Sequence, residues 1–147
     1  MEKVADVLEG KFPQFNTVSP DALVCDALYQ MSSENVDHLI VMEDDTFLGI
    51  LTDYEVARKA MIDNRPLKKI QVKELINRNV PVTTSDTPLE LCMQLMERFS
   101  AKHLAVFDSF DFRGVVSAQD LMQYALYKRK EVFEDQIYAR HSYPWNY

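Results

Sequence analysis

Two stretches of the chain place a hydroxyl three residues ahead of a carboxylate, directly after a run of apolar residues. They are Gly49-Ile50-Leu51-Thr52-Asp53-Tyr54-Glu55 and Gly114-Val115-Val116-Ser117-Ala118-Gln119-Asp120. That spacing suits the first turn of a helix. The unpaired N–H groups and positive dipole end of such a turn can hold a phosphate or another polar oxygen, and the carboxylate can accept hydrogen bonds from ligand hydroxyls. The same spacing is also that of a capping box. Thr52 with Glu55, or Ser117 with Asp120, would then only close a helix end, at about 1 kcal/mol each. On the residues alone both readings stand.

His38 and His103 head two similar apolar runs, HLIVM and HLAVF. A symmetric metal site could be built from such a pair, yet no Cys/His/carboxylate cluster with ligand spacing accompanies them. The expectation is strand-end or ligand-contacting histidines and no metal. Cys25 and Cys92 are too few for a disulfide framework, which fits a reducing compartment. No nucleophile, base and orienting group can be assembled from the motifs, so the chain reads as a non-enzyme with no catalytic residue.

The elements that must position these residues occur twice. Asp21 to Glu55 lies over Asp86 to Asp120 without a gap, pairing Met31 with Met96, His38 with His103, Leu39 with Leu104, Val41 with Val106, Phe47 with Phe112 and Gly49 with Gly114. Asp21 and Asp86 are expected to cap an amphipathic helix, with Val24, Ala27, Leu28 and Met31 inward in one copy and Leu89, Cys92, Met93 and Met96 in the other. Each helix is followed by a hairpin of two buried strands. Gly49 and Gly114 interrupt the second strand, where a missing side chain lets backbone or ligand come close. Thr52 and Ser117 then start a second helix, with Val56 and Ala60, or Leu121, Met122 and Ala125, inward.

A short extended piece precedes each unit, at Asn16 to Ser19 and Pro81 to Thr84, giving two βαββα repeats of an α/β (α+β) fold. VADVLE and VKELIN recur as leading segments. Residues 1–61 read as repeat 1 with its leading helix, 62–71 as a linker, 72–127 as repeat 2, and 128–147 as a helical and aromatic tail. That tail, with Tyr138, Tyr143, Trp145 and Tyr147, either docks on a partner or covers its own domain.

A length of 147 residues, 47% hydrophobic and 27% charged, suits one globular domain. A net charge of -7 opposes a phosphate backbone, so nucleic acid is not an expected partner. The apolar runs are too short to span a bilayer and no signal-peptide segment opens the chain, so the expectation is a cytoplasmic protein without a membrane partner.

These residues resemble the cystathionine-β-synthase (CBS) domain, which occurs as a tandem pair called a Bateman module. The resemblance runs from about Val4 to about Leu126. It rests on the SPDALVCDAL and SDTPLELCMQLM helices, the HLIV and HLAV strands, and above all GILTDYE and GVVSAQD. The family pattern in that last place is Gly, two apolar residues, Thr or Ser, two variable residues and Asp. The second copy fits throughout, whereas the first has Glu55 for Asp. Many members also carry proline where Ile40 and Ala105 stand.

The resemblance implies two CBS repeats packed with pseudo-two-fold symmetry, leaving two clefts. It further implies a regulatory module that senses an adenosine ligand, AMP, ADP, ATP or S-adenosylmethionine, and requires no cofactor. In the favoured cleft Asp120 would hold ribose, Ser117 ribose or phosphate, and Thr83 the base, with His103 nearby. In the second, Thr52, Glu55 and Val18 would take those roles, with His38 nearby and Arg58 on phosphate. The expected partners are a second copy in a homodimer and an effector protein still to be identified. The alternative is a ligand-free CBS pair serving dimerisation and protein interaction.

Overall fold

The computed structural model describes residues 2–11 and 16–139. In chain order the elements are α1 (Val4–Gly10), β1 (Thr17–Val18), α2 (Val24–Glu34), β2 (His38–Glu43), β3 (Thr46–Thr52) and α3 (Asp53–Asp63). A 3-10 turn (Leu67–Lys69) leads to α4 (Val72–Leu75), β4 (Val82–Thr83), α5 (Leu89–Phe99), β5 (His103–Asp108), β6 (Asp111–Ser117) and α6 (Ala118–Ala139). The aromatic residues Tyr143, Trp145 and Tyr147, and any docking role for them, lie outside the described residues. No helix among the described residues is long and apolar enough to cross a membrane.

Each repeat forms a three-stranded sheet, ordered β1-β2-β3 and β4-β5-β6, with the short strand parallel to its neighbour and the hairpin antiparallel. The hairpin register sets His38 opposite Thr52 and His103 opposite Ser117. Each repeated histidine thus stands beside the start of the following helix.

Strand side chains alternate between faces, and both faces of each hairpin are buried. Leu39, Val41 and Leu51 face inward with Val24, Ala27, Met31 and Val56. Leu104, Val106 and Val116 do the same with Leu89, Cys92, Met96 and Leu121. The alternate residues Ile40, Ile50, Ala105 and Val115 meet in a third core that joins the repeats. There Phe47 stacks on its repeat partner Phe112, centroids 4.4 Å apart, and His38 meets His103 at 4.6 Å. Equivalent residues meeting each other is what a pseudo-two-fold axis requires.

The leading helices are exchanged in space. Val4 and Val7 of α1 lie in the core of the second repeat, and Val72 and Leu75 of α4 in the core of the first. Val4 N–H donates to Thr87 O at 3.0 Å, and Val72 N–H to Ala22 O at 2.8 Å. Fully burying one such side chain contributes about 1.5–3 kcal/mol, so each repeat depends on a segment delivered from the other side of the chain.

This exchange corrects the expected caps. The N-cap positions of α2 and α5 are Leu23 and Pro88, without side-chain caps. Val24 N–H donates instead to Ile70 O (2.8 Å) and Leu89 N–H to Glu2 O (3.2 Å), so neighbouring backbone satisfies the first turn. Asp21 pairs with Lys73 at 3.1 Å and Asp86 with Lys3 at 3.6 Å. Met93 and Met122, expected inward, are exposed because each sits one position off the buried stripe.

Candidate functional site

Strand β3 ends at Thr52, whose Oγ1 accepts the Glu55 N–H at 3.1 Å and starts α3. A cleft of about 620 Å³ opens there, within the roughly 300–1,000 Å³ common for small-molecule sites. One wall is Thr52 to Glu55 with Ile50 and Asp37. The other is Asn77 and Asn79 to Pro81, with Phe99 to His103 at the end. Both repeats therefore contribute.

Gly49 explains how the second wall comes so close. Ile50 and Asn77 exchange backbone hydrogen bonds of 3.1 and 2.8 Å, which pins the segment after α4 to the edge of β3. A Cβ at Gly49 would collide with the Asn77 carbonyl oxygen, whereas one at Gly114 would meet only Leu8 Cδ2 at 3.5 Å. The close approach expected of these glycines is thus made by backbone, at Gly49.

The start of α6 is closed more fully. Ser117 Oγ accepts the Asp120 N–H at 3.0 Å, and Asp120 Oδ2 accepts the Ser117 N–H at 2.8 Å. This is a reciprocal capping box. The same Oδ2 takes Lys11 Nζ at 2.9 Å, and Lys11 also donates to Val115 O at 3.0 Å. The Glu55 carboxylate, by contrast, has no hydrogen bond or ion pair among the described residues.

The remaining residues singled out in the sequence are dispersed. His103 lines the cleft at Thr52, while His38 is buried behind it. Thr83 is buried with Oγ1 3.9 Å from Cys92 Sγ, and Val18 packs on the first repeat's core. Neither of them lines this cleft, nor does Arg58, which is exposed further along α3.

Asp37 escaped the sequence reasoning. Its Oδ1 accepts from His38 Nδ1 at 2.8 Å and lies 3.3 Å from His103 Nε2. The hydrogen bond from His103, then that from His38, holds the carboxyl far below the usual carboxylate range against the opposing effect of burial. The expectation that no cluster accompanies the histidines is therefore corrected, because the fold joins residues far apart in sequence. The available signal was position: Asp37 and Lys102 directly precede the repeated histidines.

Comparison with known proteins gives the architecture its place. The CBS domain model matches residues 4–62 and 72–127. The CBS domain-containing protein YhcV of Bacillus subtilis is 28% identical over 122 residues, covering 80% of this chain and 84% of YhcV. The chain spans 56% of the mitochondrial protein CBSX3 of Arabidopsis thaliana, at 28% identity over 76% of the chain. A solved CBS domain structure superposes with TM-score 0.78 at 32% identity, covering 85% of this chain and 98% of that one. Two further structures, both 24% identical, share the fold. A CBS domain pair in complex with 5′-methylthioadenosine and S-adenosyl-L-methionine has TM-score 0.72, covering 87% of this chain and 98% of its own. CBSX2 in complex with AMP has TM-score 0.69, covering 88% and 99%. With two matched repeats that meet about their equivalent residues, this chain belongs to the CBS domain family as a tandem pair.

Proposed function

We propose that the chain is a regulatory module that binds an adenosine ligand in the cleft between its repeats, and that a separate effector protein reads the occupancy. The observation that carries this reading is the cleft itself. A helix start and a carboxylate without a partner among the described residues, both on one repeat, face a wall supplied by the other. The α3 N-terminus and Thr52 suit a phosphate or ribose oxygen, and Glu55 can accept from vicinal ribose hydroxyls. Val80, Pro81 and Phe99 supply apolar surface for a base.

Charge narrows the choice. Asp37, Asp53 and Glu55 line the cleft against one ammonium, Lys102. A triphosphate meets repulsion there, so AMP or the sulfonium-bearing S-adenosylmethionine fits better than ADP or ATP. The Ser117–Asp120 side is proposed as a second site, in which a ligand must exchange with Lys11 or use it. Met61, Ile62, Met122 and Leu126 expose apolar surface on α3 and α6, through which we propose that two copies pair.

A thermal-shift panel of AMP, ADP, ATP and S-adenosylmethionine tests the reading. A ligand at 100 times its Kd stabilises the folded state by about 2.7 kcal/mol. The expected result is a shift with AMP or S-adenosylmethionine that exceeds any shift with ATP. No shift with any of them would overturn it.

A further inference from the structure

At the junction of the repeats, the first residues of β2 and β5 bring His38 and His103 together beside Asp37. The donor atoms of all three lie within 4.8 Å of one another. Both imidazoles are buried, at 4% and 7% exposure, and both aim a ring nitrogen at the same oxygen, Asp37 Oδ1. We propose that Asp37, His38 and His103 form a binding site for a divalent transition-metal ion of the zinc type, which bridges the two repeats. The proposal stands on this cluster and does not depend on the adenosine reading.

Two imidazoles and a carboxylate form a donor set that zinc accepts, with bonds of about 2.0–2.2 Å in a tetrahedron. Neighbouring donors in such a site lie about 3.3 Å apart. The separation from Asp37 Oδ1 to His103 Nε2, 3.3 Å, already matches that value, and that to His38 Nδ1, 2.8 Å, is shorter by about 0.5 Å. The widest pair lies within 4.8 Å and must close by at most about 1.5 Å to reach that spacing. Asp37 and His103 also line the cleft, which gives the ion a path in and leaves a fourth position for water.

The proton account closes as well. Each neutral imidazole carries one proton, and coordination requires a bare nitrogen on the metal side. For His38 to bind through Nδ1, its proton must move from Nδ1 to Nε2, which faces Asn16 Nδ2 at 3.4 Å, so the Asn16 amide must turn over as well. With its oxygen turned inward, that buried amide accepts the proton and fixes the ring. Asn16 is then a positioning residue. The charge of a bound dication would be matched in part by the Asp37 carboxylate.

The test uses untagged full-length chain and zinc in competition with a chromophoric chelator, with cobalt absorption as a second probe. The expected result is one ion per chain, with affinity reduced at least about tenfold in both Asp37→Asn and His103→Gln. Cys25→Ser and His141→Gln should leave it unchanged. Because Asp37 is partly exposed, its substitution should keep the fold, which thermal unfolding checks. The proposal is overturned if zinc does not compete. It is equally overturned if Asp37→Asn binds as wild type does, or if His141 or Cys25 proves to carry the ion.

Discussion

Gly49→Ala should damage the protein far more than Gly114→Ala, although the two glycines are repeat equivalents with similar backbones, φ +156° and +144°. Placing a non-glycine residue in that region costs about 1–3 kcal/mol at either position. At Gly114 little is added, since the new Cβ finds Leu8 Cδ2 at an ordinary contact distance of 3.5 Å. At Gly49 it meets the Asn77 carbonyl, and Ile76 Cγ1 at 3.0 Å, so backbone must withdraw. That withdrawal breaks the Ile50–Asn77 pair, whose two hydrogen bonds contribute about 0.5–1.5 kcal/mol each. Gly114→Ala should therefore lose about 1–3 kcal/mol and Gly49→Ala about 2–6 kcal/mol. Urea unfolding of both variants, compared at equal slopes, measures the difference. Equal losses would refute the idea that the Asn77 segment is locked against β3. Asn77 also walls the cleft, so Gly49→Ala should weaken ligand binding as well.

Three further outcomes are expected. Asp37 has a lower pKa folded than unfolded, so its contribution is fully present above the unfolded value near 3.9 and is lost as pH falls through the folded one. The gap between the urea midpoints of wild type and Asp37→Asn should accordingly begin to narrow as pH falls below about 4, and a constant gap would contradict the His38–Asp37–His103 arrangement. Asp120→Ala removes the acceptor for both Ser117 N–H and Lys11, and should cost about 1–3 kcal/mol. Lys11→Met, which leaves the capping box intact, should cost less, and the reverse order would count against the box. Burial pushes the Cys92 thiol up, against the Thr83 hydrogen bond, so a thiol reagent should modify Cys25 first and Cys92 only on unfolding.

Much of the fold was legible because repetition reports architecture directly. The matching His-Leu runs and Gly-to-carboxylate motifs located both hairpins and the helices after them, and Thr52 caps α3 as its spacing suggests. What the sequence hid was spatial exchange. Nothing in VADVLE says that Val4 will pack on Leu104 rather than on its own copy. The helix caps failed for the same reason, since Ile70 and Glu2 supply from afar what Asp21 and Asp86 were expected to give locally. The candidate site was legible at its helix starts. The second wall was not, because Asn77 to Pro81 carries no motif and gains meaning only beside Gly49. Preference between the helix starts also needed coordinates, since Lys11 on Asp120, and a Glu55 carboxylate without a partner among the described residues, cannot be read from a pattern.

The most direct measurement is calorimetric titration of AMP and S-adenosylmethionine into the wild type, Glu55→Gln and Asp120→Ala. A carboxylate that accepts ribose hydroxyls contributes about 1.5–3 kcal/mol, so Glu55→Gln should bind at least about tenfold more weakly than wild type. Asp120→Ala should retain that binding. Undiminished affinity in Glu55→Gln, with binding abolished in Asp120→Ala, would move the site to the other cleft and contradict the account.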